Sequence, residues 1–197
     1  MDWWSISYAV LWLVVVIEAL ALLVLARAVG AIVLGTRDAI ERDGLELGKK
    51  APYFVGIRAD GTTTGSSELV QHYAALVFAS PSCRICRDML PDLGRLARGL
   101  GDDARVVILL RGSVEDARLM QADVDPALEV WSIGASATAQ RYRVRVSPYV
   151  QVLDPAGLVR TKGLVNNADQ VEHLMFDAGL RNQVTARHAP KLALTKG

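Results

Sequence analysis

The chain has two cysteines, Cys83 and Cys86, with Arg84 and Ile85 between them in the order C-R-I-C. They follow an apolar run at residues 74–80, AALVFAS, and open a stretch in which Met89, Leu90, Leu93, Leu96 and Leu100 recur at helical spacing. The pair is therefore placed after a buried strand, on the first turn of a helix. Backbone N–H groups at a helix start lack intrahelical partners and favour an anion, so the first sulfur is stabilised as a thiolate. Arg84 and Arg87 add positive charge, which pushes a thiol pKa further down. Two thiols at this spacing close a small disulfide ring. Such a pair suits thiol-disulfide exchange, with Cys83 as attacking nucleophile and Cys86 as resolving thiol.

Three other readings stand beside this one. A zinc site needs two more ligands, and His72, His173 and His188 show no paired metal-ligand spacing. A thiolate pair also suits a soft Cu(I) ion, although copper chaperones of the Sco type space their cysteines C-x-x-x-C and add a histidine. A purely structural disulfide rarely closes across two residues at a helix start. No metal or cofactor is expected from the remaining sequence.

The elements that must hold the pair alternate in type. Residues 53–57 read as a strand, 66–73 as a short helix, 74–80 as a strand, 86–100 as a helix and 104–112 as a second buried strand. A helix over 113–124 opens with Ser113 three residues before Asp116, a capping pattern. Residues 128–133 read as a strand and 135–144 as a short helix. Then 147–154 and 158–165, joined by a P-A-G turn, read as a hairpin, and 168–179 as a closing helix ending at a glycine. Strands alternating with helices give an α/β layer architecture.

The composition is bounded by 197 residues, 51% hydrophobic, with 22 basic and 21 acidic side chains and a net charge of +1. That balance gives no basic face for nucleic acid, and two cysteines exclude a disulfide-stapled miniprotein. The mean hydropathy of +0.24 comes largely from the front of the chain. Residues 6–26 carry a single charge, Glu18, over about the roughly 20 residues needed to cross a bilayer as a helix. Trp3, Trp4 and Tyr8 stand at one end, where amphipathic rings favour the interface, and Arg27 closes the other. The stretch is too long, and its start too poor in Lys and Arg, for a cleaved signal peptide.

A single-pass transmembrane anchor over residues 1–35 is therefore expected, in contact with lipid through 6–26. Glu18 is a costly residue in hydrocarbon and a candidate contact with another membrane subunit. A helical connector and linker at 36–52 leads to a soluble domain at 53–180, and a basic tail at 181–197 is expected to be disordered. Arg27, Arg37 and Arg42 follow the span and none of the side chains before it is basic, which by the positive-inside rule points the domain toward the cytoplasm.

The segment VFASPSCRICRDMLPDL, with Pro91 five residues after Cys86, resembles the active-site strand and helix of thioredoxin-fold proteins. Val146, Ser147 and Pro148 resemble that fold's cis-proline loop, which the resemblance implies faces the cysteines and receives substrate backbone. More narrowly, three features resemble the membrane-anchored TlpA/redoxin group and its methylamine utilisation (MauD) branch. These are the anchor ending in L-A-R, the start Gly48, Lys49, Ala51, Pro52, and Ser80-Pro81-Ser82-Cys83 with Cys86. The resemblance implies a thioredoxin-like domain outside the cytoplasmic membrane, against the charge count, acting on a protein thiol or disulfide during maturation of an extracytoplasmic protein. A non-catalytic thioredoxin-fold subunit of a membrane complex is the alternative.

Departures bear on specificity. Ser82 replaces the tryptophan that thioredoxin carries before the first cysteine, Arg84-Ile85 replaces Gly-Pro, and residues 75–79 hold no buried acid. General reduction of the thioredoxin kind is thereby in doubt, and a dedicated partner is expected. Arg141, Arg143 and Arg145 alternate, so in an extended segment they share a face. Turned toward the cysteines, Arg145 with Arg84 and Arg87 stabilises the reduced thiolate and makes the pair a stronger oxidant than thioredoxin; a solvated strand face is the equal alternative.

Overall fold

The structure is a computed structural model that describes residues 3, 4, 7, 8, 10–24, 43–102, 104–134 and 137–180. The chain divides into two compact units, Met1–Arg42 and Asp43–Gly197. In the first, residues 10–24 form helix α1, and apolar side chains such as Leu13 and Leu22 are exposed along it. Among the described residues no helix is long and apolar enough to cross a membrane. The expected span at 6–26 includes residues 6, 9, 25 and 26, which lie outside the described residues, as do 27–35 at the end of the anchor, 36–42 of the connector and the tail at 181–197.

The second unit is built on a seven-stranded sheet: β1 (Val55–Arg58), β2 (Thr63–Gly65), β3 (Tyr73–Ala79), β4 (Ala104–Leu110), β5 (Glu129–Ser132), β6 (Tyr149–Leu153) and β7 (Val159–Leu164). Their spatial order is β2-β1-β5-β4-β3-β6-β7. β3, β4 and β5 run parallel, whereas β1, β6 and β7 pair antiparallel with their neighbours. Parallel neighbours need crossovers. These are supplied by α2 (Arg84–Asp88) with α3 (Leu90–Leu100), and by α4 (Val114–Ala122). α5 (Ala137–Arg141) and α6 (Ala168–Asp177) complete the domain.

β3 is buried at every residue, and its side chains alternate between two cores. Ala75, Val77 and Ala79 face a core shared with Leu93 and Ala97 of α3, Met120 of α4 and Met175 of α6. Leu76 and Phe78 face the other, which contains Phe54, Trp131, Tyr142 and Tyr149. A strand covered on both faces explains the continuous apolar run at 74–80.

Besides β2, which falls where no element was expected, four stretches differ from expectation. The helix at 66–73 is only a 3-10 turn, Ser66–Leu69, because Gln71 adopts φ 79° and Tyr73 already belongs to β3. The helix at 86–100 begins earlier and breaks at Met89, since Pro91 in the first turn of α3 has no N–H to continue the ladder. The helix at 135–144 stops at Arg141, and Arg143 takes φ 55°. Residues 43–52, assigned to the connector, pack on the domain: Leu45 and Ala51 join the second core, and Asp43 is buried.

Candidate active site at the carboxyl edge of the sheet

The parallel strands β3 and β4 end at the same edge of the sheet, and antiparallel β6 begins there. Three loops therefore meet: residues 80–83 after β3, Arg111 and Gly112 after β4, and Ser147-Pro148 before β6. Cys83 is the N-cap of α2, and its Sγ accepts a hydrogen bond from the Cys86 N–H at 3.1 Å. The Cys83 N–H is itself held by the Ser80 carbonyl at 3.0 Å. Cys83 and Cys86 form a disulfide with 5.3 Å between their Cα atoms. Cys86 is 2% exposed and packs among the core residues beneath α2, while Cys83 is only half-buried. Cys83 is thus the more accessible of the two.

The loop before Cys83 is supported from below. A Cβ on Gly112 would lie 2.7 Å from Cγ of Pro81 and 2.9 Å from Oδ2 of Asp116, so this position must be glycine for the two segments to approach. The Gly112 carbonyl accepts from Ser132 Oγ at 2.7 Å. Asp116 forms the expected capping box with Ser113. The Ser113 hydroxyl and N–H hold its carboxyl below the usual range.

On the far side of β3, the Ser147-Pro148 peptide is cis. The register Phe78↔Tyr149 carries forward to put Pro148 level with Ala79, the last residue before the cysteine loop. The structure therefore brings Ser147, Pro148, Cys83 and Cys86 to one edge. Ile85 and Val146 are exposed around it, 46% and 38% respectively. A groove of about 400 Å³ runs beside the helix start, lined by Pro81, Arg87, Leu90, Asp116 and Leu119 among others.

The arginines are arranged differently from expectation. Residues 141–145 are not extended, so their alternation does not put them on one face. Arg141 donates to the Tyr53 carbonyl, Arg143 pairs with Glu46, and Arg145 binds the Asp43 carboxylate through Nε and Nη2, both at 2.7 Å. Asp43 is further fixed by Tyr149 Oη and Lys162 Nζ, which donate to its carbonyl. Arg145 is thus a clamp on residue 43, with its charge neutralised there. Arg84 makes a solvent-exposed pair with Asp88 at 3.7 Å, a contact worth about 0–1 kcal/mol. Arg87 is exposed beside Cys86.

Sequence reasoning missed Arg111. Its N–H donates to the Ala79 carbonyl at 2.9 Å, and its Nη2 donates to Ser147 Oγ at 2.8 Å. Its Nε is buried with no hydrogen-bond partner among the described residues. The signal was a charged residue and a glycine directly after the buried strand next to the cysteine strand. Among the described residues no group of three or more His, Cys, Asp or Glu side chains could hold a metal ion.

No protein-family model matches the chain. Among curated proteins, MauD, the methylamine utilization protein of Methylobacillus flagellatus, is 30% identical over 133 residues, 66% of this chain and 63% of that protein. The alignment thus spans less than two thirds of that relative's length. MauD of Paracoccus denitrificans is 28% identical over 176 residues, covering 86% of each chain. Among solved structures, a Chlorobium tepidum protein assigned as the thiol:disulfide interchange protein DsbE superposes with a TM-score of 0.60. It is 22% identical, and the match covers 72% of this chain and 97% of that one. Copper-bound ScoI of Arabidopsis thaliana superposes at 0.52, with 19% identity over 66% of this chain and 98% of that one.

Proposed function

We propose that this chain, a MauD-like protein with a thioredoxin-like fold, is a thiol-disulfide oxidoreductase that acts on a dedicated polypeptide partner during that partner's maturation. The observation that carries the reading is the asymmetric disulfide: Cys83 half-exposed at the helix start, Cys86 buried behind it, and the Ser147-Pro148 loop level with the strand that delivers them.

In the reducing direction, the Cys83 thiolate attacks one sulfur of a partner disulfide. A mixed disulfide forms and the partner's other sulfur leaves as thiolate. The Cys86 thiolate then attacks Cys83 Sγ, which releases the second partner thiol and closes the Cys83–Cys86 disulfide. The partner is reduced by two electrons and the pair is oxidised by two. The reverse sequence oxidises a partner dithiol. Pro148 and Ser147 offer backbone to the partner segment beside Cys83, and Arg87 contributes positive charge near the thiolate.

The same proposal places residues 6–26 in a bilayer as an uncleaved anchor, with Glu18 facing a membrane partner and the domain on the extracytoplasmic side. The apolar, exposed side chains of α1 support the anchor, and the persistence of disulfides outside the cytoplasm supports the placement.

Replacing Cys86 by Ser tests both parts. Without the resolving thiol, the variant is expected to accumulate a disulfide-linked adduct through Cys83, seen on non-reducing gels. The adduct should be absent from the Cys83→Ser/Cys86→Ser variant. A membrane-impermeant maleimide added to intact spheroplasts should label the remaining Cys83. If no adduct forms and the double variant supports the partner's maturation as well as wild type, the domain is an interaction module rather than a catalyst. If Cys83 is labelled only after lysis, the extracytoplasmic placement is wrong.

A further inference from the structure

Arg111 is fixed at its backbone. Its N–H is bonded to the Ala79 carbonyl, and the next residue is held between Pro81 on one side and Ser132 Oγ on the other. β3 lies between β4 and β6. A side chain that starts after β4 and reaches Ser147, just before β6, therefore passes across the end of β3. It does so immediately behind the point where the chain turns toward Cys83. The 2.8 Å bond from Nη2 to Ser147 Oγ is the side chain's one hydrogen bond among the described residues.

Stability alone gives little reason for an arginine here. A half-buried guanidinium without a carboxylate is costly, and an apolar side chain of similar volume is usually as good or better for the fold. Several other arginines of the domain are satisfied in ordinary ways: Arg145 by Asp43, Arg84 by Asp88, and Arg58 by Glu68 and Glu129. Arg111 differs because its contact goes to the loop that lies alongside the disulfide.

We propose that Arg111 is a positioning residue of the exchange site, which holds Ser147 and so fixes the backbone at Pro148 where a polypeptide must lie to reach Cys83. This rests on the exchange reading above. The guanidinium does not touch the reacting sulfurs in this role. Its effect is to keep one loop in place, which matters for a polypeptide partner that must bind along that loop.

The test uses the full-length chain, insulin as the polypeptide disulfide with dithiothreitol as the reductant that returns the Cys83–Cys86 pair to its dithiol, and Arg111→Met, Arg111→Lys, Ser147→Ala and the Arg111→Met/Ser147→Ala pair. Arg111→Met should raise KM for insulin about tenfold with kcat altered less than about threefold, the scale of one lost charge-assisted hydrogen bond. Arg111→Lys, which still carries a donor, should recover most of that loss. Ser147→Ala should raise KM similarly, and the double variant should be no worse than either single one, because both remove the same contact.

Three results overturn the proposal: an unchanged KM in Arg111→Met, losses that multiply in the double variant, or a shift in the pH midpoint of Cys83 alkylation. The last would make Arg111 a direct partner of the thiolate instead. Should Arg111→Met fail to fold, Ser147→Ala alone decides, since it deletes the same bond at a small, half-buried side chain. Failure of the exchange reading looks different: Cys86→Ser would trap no mixed disulfide with any polypeptide, insulin included. A wild type that reduces insulin beside an Arg111→Met variant with the same KM rejects the positioning role alone.

Discussion

Replacing Gly112 by Ala tests whether the loop before Cys83 is held by close packing from below. The added Cβ would sit 2.7 Å from Cγ of Pro81, 2.9 Å from Oδ2 of Asp116 and 3.3 Å from Cβ of Asp116. Carbon atoms rest about 3.5–4.0 Å apart, so one of these groups must move by about 1 Å. Neither moves freely. The Gly112 carbonyl is tied to Ser132, and Asp116 Oδ2 accepts from both the N–H and the hydroxyl of Ser113, at 2.8 and 2.7 Å. Overpacking of this kind costs about 1–3 kcal/mol, and loss of a helix cap costs about 1 kcal/mol. A reduced unfolded-state entropy returns about 0.4–1 kcal/mol. The net expectation is about 2 kcal/mol, or roughly 4–8 °C in Tm for a domain of this size. Pro81 lies two residues before Cys83, so a displacement of this size should also slow exchange by at least tenfold, toward the order of 100-fold. The assays are thermal unfolding by circular dichroism and reduction of insulin. Ser113→Ala is the control: it removes the cap alone and should lower Tm by a few degrees while exchange continues. A Gly112→Ala protein that melts within 1 °C of wild type, by the same scale, and exchanges at the same rate would refute the reasoning.

Gln151→Leu should destabilise the domain by about 2–4 kcal/mol, because it leaves the Tyr142 carbonyl and the Leu45 N–H without the amide that joins them. Denaturant titration would show it, and hydrogen exchange should quicken at the Leu45 amide; wild-type values in both would contradict the assignment. Stability should also fall at high pH. Burial raises the phenol pKa of Tyr142, a shift that Arg141 only partly opposes; burial and then the Asp43 charge push that of Tyr149 up to about 12. Both phenols ionise near pH 10 once unfolded, so their contribution is intact below about pH 10 and is lost between about pH 10 and 12. A denaturant midpoint that stays flat across that window would count against buried, neutral tyrosines.

Most of the sheet was legible because its central strands are covered on both faces. Continuous apolar runs such as residues 106–110 admit few readings once helices alternate with them. β2 was not legible: Thr63, Thr64 and Gly65 carry no apolar alternation, and the strand exists through its ladder with β1. The limits of helices were equally hidden at Gln71 and Arg143, where positive φ values stop a pattern that propensity alone would continue. The position of Cys83 as N-cap could be read from the strand-to-helix transition. The support beneath it, Gly112 against Pro81, joins residues about thirty apart and depends on parallel pairing, which local pattern does not specify.

Charge was the least legible property of the site. Arg141, Arg143 and Arg145 look like a cationic face only if the backbone between them is extended, and α5 ends within that stretch. Even with the right backbone, the partner of Arg145 is Asp43, about a hundred residues away in sequence and assigned beforehand to a connector. An arginine contributes to a thiolate only with charge that a nearer carboxylate has not already neutralised. By that criterion Arg145 drops out and Arg84 counts for little, which leaves Arg87, exposed beside Cys86, as the cation of the helix start without an acidic partner among the described residues, while Arg111 is bonded to Ser147. Arg111 was overlooked because it lies 28 positions beyond Cys83, at the end of an apolar strand. Any oxidising character of this pair therefore has fewer supporting charges than the sequence implied. The distinctive feature of the site is a guanidinium that reaches across the end of the cysteine strand to the residue before the cis proline.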